Sequence, residues 1–281
     1  MARYNAKPTP AAWQDPVDRW TTWLLARGLR PATIRCKRHH IVYFARRNPH
    51  ILPDDLTVDA MLTWAATQKW QPETRHAAYG SYSSFLTWLR RDQGNPEIIE
   101  FPTVRRPRAL ARPVPETIFE ALISCADDRV ALAVRLAAYA GMRRGEIPLL
   151  HTNDLISEDS GRTILVHGKG GHERLVPVSD RLDAAIRLYQ EAHSIDQGWL
   201  FPGETSGHLG ADRIGKLVNS QLPKPWTLHG LRHRFATAVY AATHDIIVVQ
   251  QLMGHASVAT TQRYLAFTAD SLRAAVNAAD T

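Results

Sequence analysis

Residues 227–264 read TLHGLRHRFATAVYAATHDIIVVQQLMGHASVATTQRY. His229 and Arg232 stand three positions apart, which sets them on one face of a helix, and His255 and Tyr264 follow at a fixed interval. Leu228, Leu231 and Phe235 give that helix an apolar stripe, so its imidazole and guanidinium border a core where charges need partners. Two further cations stand upstream. Arg143 lies in Gly141-Met-Arg-Arg-Gly-Glu146, where Glu146 is spaced to orient it, and Lys169 lies in the glycine turn Gly168-Lys-Gly-Gly171. Two guanidinium forks, one ammonium, two imidazoles and a phenol are the groups needed to hold a phosphate diester and attack it through a tyrosine.

Outward from this stretch the periodicity stays mainly helical. A helix is expected from about Pro115 to Cys125, and an apolar buried one from Val130 to Ala140. The runs 162–167 and 173–178, rich in β-branched residues, flank Gly168-Lys-Gly-Gly171 as a β-hairpin. Helices follow over 180–193, 211–220, 229–241, 246–253, 260–267 and, briefly, 270–278. The first hundred residues read as four helices. One opens on Asp15 as N-cap with Pro16 at the first helical position and closes at Gly28. The others run from Pro31 or Thr33 to Asn48, from Thr57 to Gln68 and from Pro72 to Arg91. Their many aromatic residues are expected in a core. Between the halves, Phe101–Pro115 carries four prolines and four arginines after its first phenylalanine and reads as a stiff basic linker.

Charge divides along the same line. The net charge of +7 resolves into 17 Lys/Arg against 9 Asp/Glu in residues 1–111, and 17 against 18 in residues 112–281. A basic module beside a nearly neutral one fits phosphate contacts and counterion release on a nucleic acid. The second helix is the densest source, with Arg30, Arg35, Lys37 and Arg38 near its start; Arg105, Arg106 and Arg108 of the linker, and Arg144, complete the candidates for DNA contact. No run of about 18 apolar residues is present to span a membrane, and Met1-Ala-Arg-Tyr4 carries no signal-peptide hydrophobic core. Two cysteines far apart, Cys36 and Cys125, suit a reducing cytoplasm and offer neither a disulfide framework nor a cysteine zinc site. No HExxH motif points to a metal, and no GxxxxGK[ST] points to ATP.

Taken together, the segments 138–147 (AYAGMRRGEI), 227–237 (TLHGLRHRFAT) and 252–264 (LMGHASVATTQRY) resemble, in order and spacing, the arginine, His-x-x-Arg and nucleophile boxes of the tyrosine recombinases. Gly28-Leu-Arg-Pro-Ala-Thr-Ile-Arg35 is similar to the opening of that family's core-binding domain, so the resemblance covers nearly the whole chain. Two positions depart from the pattern: Gly230 where Asp is frequent, and Arg234 where Ser or Thr is frequent, the latter able to add a phosphate contact or an ion pair.

The resemblance implies a mainly α fold with a small β-hairpin or sheet, arranged as a two-domain C-clamp. The expected parts are a helical core-type DNA-binding domain (1–100), a basic Pro-rich linker (101–115), a mixed α/β catalytic domain (116–269) and a tail helix (270–281) expected to dock on a neighbouring protomer, with docking on its own protomer the alternative. It implies a site-specific DNA recombinase that cuts and rejoins DNA through a 3′-phosphotyrosine. Tyr264 would be the nucleophile, Arg143 and Arg232 the phosphate clamp, His229 the aid to proton transfer, Lys169 the acid for the leaving 5′-oxygen, and His255 a donor to the phosphate. Glu146 and His233 would support them. Neither metal nor ATP is required. The expected partner is double-stranded DNA with inverted core half-sites, bound by a homotetramer from a protein monomeric in solution; a directionality factor is left open, and the setting is the bacterial cytoplasm. With about ten residues ahead of the first helix, a simple recombinase without an arm-binding domain is expected. Two other readings stand beside it: a type IB topoisomerase-like nicking-closing enzyme, and an attachment-site DNA-binding regulator.

Overall fold

The computed structural model describes residues 8–106, 111–159, 161–168, 171–204 and 206–254. The chain divides into two compact units, Met1–Arg108 and Ala109–Thr281, each with its own apolar core.

The first unit holds α1 (Ala11–Ala26), α2 (Pro31–Arg47), α3 (Val58–Ala66) and α4 (Pro72–Asp92). α1 begins earlier than Asp15-Pro16 predicts: Pro10 is its N-cap and Pro16 lies inside the helix. Proline there removes one backbone donor, but starting at Ala11 buries Trp13 fully beside Val17, Trp20 and Leu24, and its indole N–H donates to the Ile51 carbonyl at 3.0 Å. Burying a large side chain is worth about 1.5–3 kcal/mol, which is enough to offset one lost helical bond. The helix ends at Gly28, whose φ of 72° suits glycine, with Leu29 N–H returning to the Leu24 carbonyl. α3 is shorter than expected and starts from Thr57, whose hydroxyl accepts from Ala60 N–H. Arg75 of α4 donates to the carbonyls of Ala65 and Gln68 and so satisfies its far end. Trp13, Trp20, Phe44, Tyr82 and Phe85 are all buried, with ring centroids 5.2–6.0 Å apart in the pairs they form. These aromatics are core, as the sequence indicates.

The second unit is built round α6 (Asp128–Tyr139), eight of whose twelve residues are buried. Asp127 caps it by accepting from Val130 N–H at 2.9 Å. Against α6 pack α5 (Glu116–Cys125), α7 (Asp180–Ala192), α8 (Ala211–Gln221) and α9 (Leu228–Thr243). α10 (Ile246–Met253) joins α9 through a small cluster of Phe235, Ala236, Val249 and Met253. The sheet has three antiparallel strands rather than a lone hairpin: β1 (Leu155–Glu158), β2 (Gly161–His167) and β3 (Glu173–Pro177), in that order. Four-residue β1 lacks an alternation long enough to be seen in the sequence, and it is held by pairing Leu155–Glu158 against Gly161–Ile164. A two-residue pair, β4 (Pro202–Gly203) and β5 (Gly207–His208), was likewise too short to predict. The expected helices over 260–267 and 270–278 lie outside the described residues. Among the described residues no helix is long and apolar enough to cross a membrane.

Candidate active site

α6 delivers the first arginine. It ends at Tyr139 with Ala140 as C-cap, the chain turns through Gly141 (φ 60°), and Arg143 emerges into a tight turn closed by Glu146 N–H donating to the Arg143 carbonyl at 2.8 Å. Glu146 is buried, and its carboxylate accepts twice from Arg143, from backbone N–H at 2.8 Å and from Nη1 at 2.6 Å. Glu146 thus holds both the backbone and the guanidinium of Arg143.

α9 delivers the second pair. Thr227 makes no side-chain cap, and Asn219 Oδ1 of α8 accepts from Leu228 N–H at 2.8 Å in its place. His229 follows in the first turn and Arg232 one turn on. Arg232 is fully buried, with Nη1 on the Gly141 carbonyl and Nη2 on the Met253 carbonyl at 2.5 Å. Burial, then the charges of Arg232 and Arg143, hold the His229 imidazole below the ordinary histidine pKa. Its ring stands edge-to-face with His233, centroids 4.7 Å apart. A cleft of about 400 Å³ opens beside them, lined by Arg112, Trp226, Thr227, His229 and His233.

One participant escaped the sequence reading. Arg174 of β3 forms a two-pronged pair with Glu146, Nη1 to Oε1 at 3.1 Å and Nη2 to Oε2 at 2.7 Å, while its Nε donates to the Leu252 carbonyl at 2.9 Å. The signal was present in the strand's period of two. Arg174 pairs in register with buried Val166 and shares the inward face with buried Val176, so it is an arginine at a core-facing strand position. Arg232 Nη1 lies 3.9 Å from Glu146, which therefore faces three guanidiniums. Burial alone would raise its carboxyl, but the hydrogen bonds and charge of Arg174 and the bonds from Arg143 hold it down to about 2. One buried carboxylate among three arginines leaves a surplus of two positive charges.

The same arginines grip the end of α10. Arg174, Arg232 and Arg143 donate to three successive carbonyls, those of Leu252, Met253 and Gly254, the last at 3.0 Å from Arg143 Nη2. Cations at this terminus also meet the negative end of the helix dipole. Gly254 is in the left-handed region (φ 58°), and a β-carbon there would lie 2.9 Å from Arg174 Cδ.

Lys169, His255 and Tyr264 lie outside the described residues, as does Arg108. The base of the hairpin leading to Lys169 is described: Gly168 N–H donates to the His172 carbonyl at 2.7 Å, and His167 sits between Asp154 and Glu173, each 2.9 Å from a ring nitrogen. These two carboxylates, Asp154 foremost, raise the His167 pKa.

The candidate DNA contacts differ in state. Arg30, Arg35 and Arg105 are exposed. Lys37 donates to the Gly80 carbonyl at 2.9 Å, Arg38 pairs with Asp18 at 3.1 Å, Arg106 with Glu73 at 3.4 Å, and Arg144 with Asp212 at 3.5 Å. Arg234, the departure from the resembled pattern, pairs with Glu116 of α5 and lies 4.3 Å from the Phe119 ring centroid.

Residues 110–270 match the phage integrase family. The chain belongs to the phage integrase family. It is 30% identical over 297 residues to the tyrosine recombinase XerC of Rhodospirillum centenum, an alignment spanning 92% of this chain and 84% of that protein. It is 34% identical over 224 residues to XerC of Methylobacterium sp., spanning 72% and 69%. The XerH site-specific recombinase, solved on palindromic difH substrate in a post-cleavage complex, shares the fold with a TM-score of 0.70 at 20% identity, over 91% of this chain and 82% of that one. This member of the phage integrase family is a tyrosine-type site-specific recombinase.

Proposed function

We propose that this recombinase cuts and rejoins double-stranded DNA at paired core half-sites through a covalent 3′-phosphotyrosyl intermediate on Tyr264. The observation that carries the reading is the cluster of Arg143, Arg174 and Arg232 around Glu146: a positive surplus, built in the protein interior, next to the chain segment that leads to Tyr264. A phosphodiester carries one negative charge and gains more at its pentacoordinate transition state, so preorganised guanidiniums lower the barrier most where charge develops.

In the proposed step the Tyr264 oxygen bonds to the scissile phosphorus and the bond from phosphorus to the 5′-oxygen breaks. The phenolic proton passes to His229, whose lowered pKa keeps it neutral and able to accept near pH 7. Lys169 returns a proton to the leaving 5′-oxygen, and His255 donates to a non-bridging oxygen. Arg143, whose side chain is 34% exposed, meets the phosphate first; Arg232 acts from within once the protein over it moves. Arginine and lysine supply the positive charge that a metal ion supplies in other phosphoryl transfers, and no ATP is consumed because the tyrosyl ester preserves the phosphodiester's energy. A 5′-hydroxyl from a second strand reverses the step, and with a homotetramer assembled on two sites this becomes strand exchange. Residues 1–100, with the linker 101–115, supply most of the affinity for DNA through the basic excess of that half. Exposed Arg30, Arg35 and Arg105 reach phosphate directly, whereas Lys37, Arg38, Arg106 and Arg144 first exchange an internal partner. The tail, 270–281, joins one protomer to the next.

The test uses nicked duplexes of randomised sequence, which trap a cleaved strand on the protein when the short product diffuses away. The wild-type chain is expected to give an adduct stable to denaturing detergent, and Tyr264→Phe none. An adduct that survives Tyr264→Phe overturns the assignment.

A further inference from the structure

We propose that Arg174 is a positioning residue for DNA cleavage, holding Glu146 and the end of α10 so that Arg143 stays available to the scissile phosphate. The inference rests on the cleavage reading above.

Its geometry excludes the simpler role of a phosphate ligand. The Arg174 side chain is 8% exposed, and both its Nη atoms and its Nε are engaged, on Glu146 and on the Leu252 carbonyl. Its stem lies against Gly254, where a β-carbon would leave only 2.9 Å to Cδ. A residue so enclosed acts through what it holds.

It holds two things. The first is the Glu146 carboxylate. With Arg143 and Arg232 alone, a buried carboxylate would cancel one of the two charges meant for the phosphate, and Arg143 would be the one bound, since it already bonds Glu146 at 2.6 Å. The Arg174 fork takes both carboxylate oxygens at once and supplies the neutralising charge. The second is the exit of α10. Leu252, Met253 and Gly254 are the last described residues before His255, and Arg174 fixes the first of their carbonyls while Arg232 and Arg143 fix the next two. When Arg143 turns from the Gly254 carbonyl to a phosphate, Arg174 on the Leu252 carbonyl and Arg232 on the Met253 carbonyl still hold that terminus.

The experiment compares wild type, Arg174→Gln, Arg174→Lys, Glu146→Gln and the double variant Arg174→Gln/Glu146→Gln. It reads binding to nicked duplexes of randomised sequence separately from the rate of Tyr264-dependent adduct formation on the bound DNA. Expected for Arg174→Gln is DNA binding close to wild type and a cleavage rate lower by roughly tenfold or more, the scale of a small misplacement at a reacting centre. Arg174→Lys falls between, because an ammonium keeps the charge and loses the fork. The deciding readout is rescue: removing the Glu146 charge restores part of the rate lost in Arg174→Gln, which a purely structural role does not predict. A double variant as slow as the product of the two single effects, or Arg174→Gln cleaving at the wild-type rate, overturns the proposal. Should Arg174→Gln not fold, Arg174→Lys with and without Glu146→Gln carries the same comparison. A second arm without DNA separates the two readings: inorganic phosphate should raise the melting temperature of wild type and raise it less in the Arg174 variant. Phosphate stabilisation without any Tyr264-dependent adduct defeats the cleavage reading, and equal phosphate stabilisation of both proteins defeats the role of Arg174.

Discussion

Gly230 and Arg112 meet backbone to backbone: a β-carbon on Gly230 would lie 2.9 Å from the Arg112 carbonyl oxygen, and Val114 N–H donates to the Gly230 carbonyl at 3.1 Å. The segment entering the second unit is thereby laid on the first turn of α9, between His229 and Arg232. This close approach gives a physical reason for glycine at position 230. Alanine would strengthen the helix by about 1 kcal/mol, but pressing a methyl on a backbone oxygen costs about 1–3 kcal/mol. Gly230→Ala is therefore expected to lower stability by about 1 kcal/mol, and Gly230→Asp by more, in urea unfolding followed by circular dichroism. A raised midpoint for Gly230→Ala would show that 112–114 yields without cost.

Arg234 is expected to matter for stability and not for cleavage. Its guanidinium lies 4.3 Å from the Phe119 centroid and 5.6 Å from that of Tyr139, and it pairs with Glu116, tying α5 to α9. A cation over an aromatic face and a partly exposed ion pair together are worth about 1–2 kcal/mol. Arg234→Ala should lose that much in denaturant unfolding while adduct formation per bound DNA stays at the wild-type level. A large drop in cleavage with no loss of stability would return Arg234 to the phosphate.

How much of this was legible in the sequence follows from the range of each signal. α10 appears with the bounds its apolar run gives, and α2 starts at the Pro31 its N1 signal offers, because both signals are local. α1 was misplaced because burial of Trp13, whose partner Ile51 lies 38 residues away, outweighs a local cap. The pair of Arg143 with Glu146 was readable as neighbours in sequence. The pair of Arg174 with Glu146 joins a strand to a turn 28 residues apart, and periodicity could reveal only that an arginine faced inward. Arg234 was read as phosphate contact or ion pair, and only packing shows Glu116 and Phe119 beside it.

Cleavage should carry an acid limb set by His229. To accept the Tyr264 proton the imidazole must be neutral, and its pKa is lowered by burial and by Arg232 and Arg143. The rate of adduct formation is expected to hold as pH falls through the ordinary histidine value of about 6.5 and to decline only below it. In His229→Gln the maximum rate should fall and the acid limb attributable to this group should vanish. A decline already complete by pH 6.5 in wild type would exclude a neutral, depressed His229 as the acceptor.

The first unit should lose stability in acid through His40. Its Nδ1 lies 2.9 Å from Ser81 Oγ, which in turn lies 2.9 Å from the Ala77 carbonyl oxygen. Burial, then the nearby His39 and Lys37, push its pKa down to about 4. Folding therefore favours the neutral ring. The stability this contributes is complete above the unfolded pKa of about 6.5 and is lost as pH falls toward 4. Because the ring is partly exposed, solvent screening reduces the full linkage to about 1–2 kcal/mol. Six of the eight tryptophans lie in Met1–Arg108, so intrinsic fluorescence reports mainly this unit. Urea midpoints measured at pH 7.5 and 5 should differ in wild type and converge in His40→Gln, which carries no titrating proton. An equal acid loss in His40→Gln would assign the effect to another group.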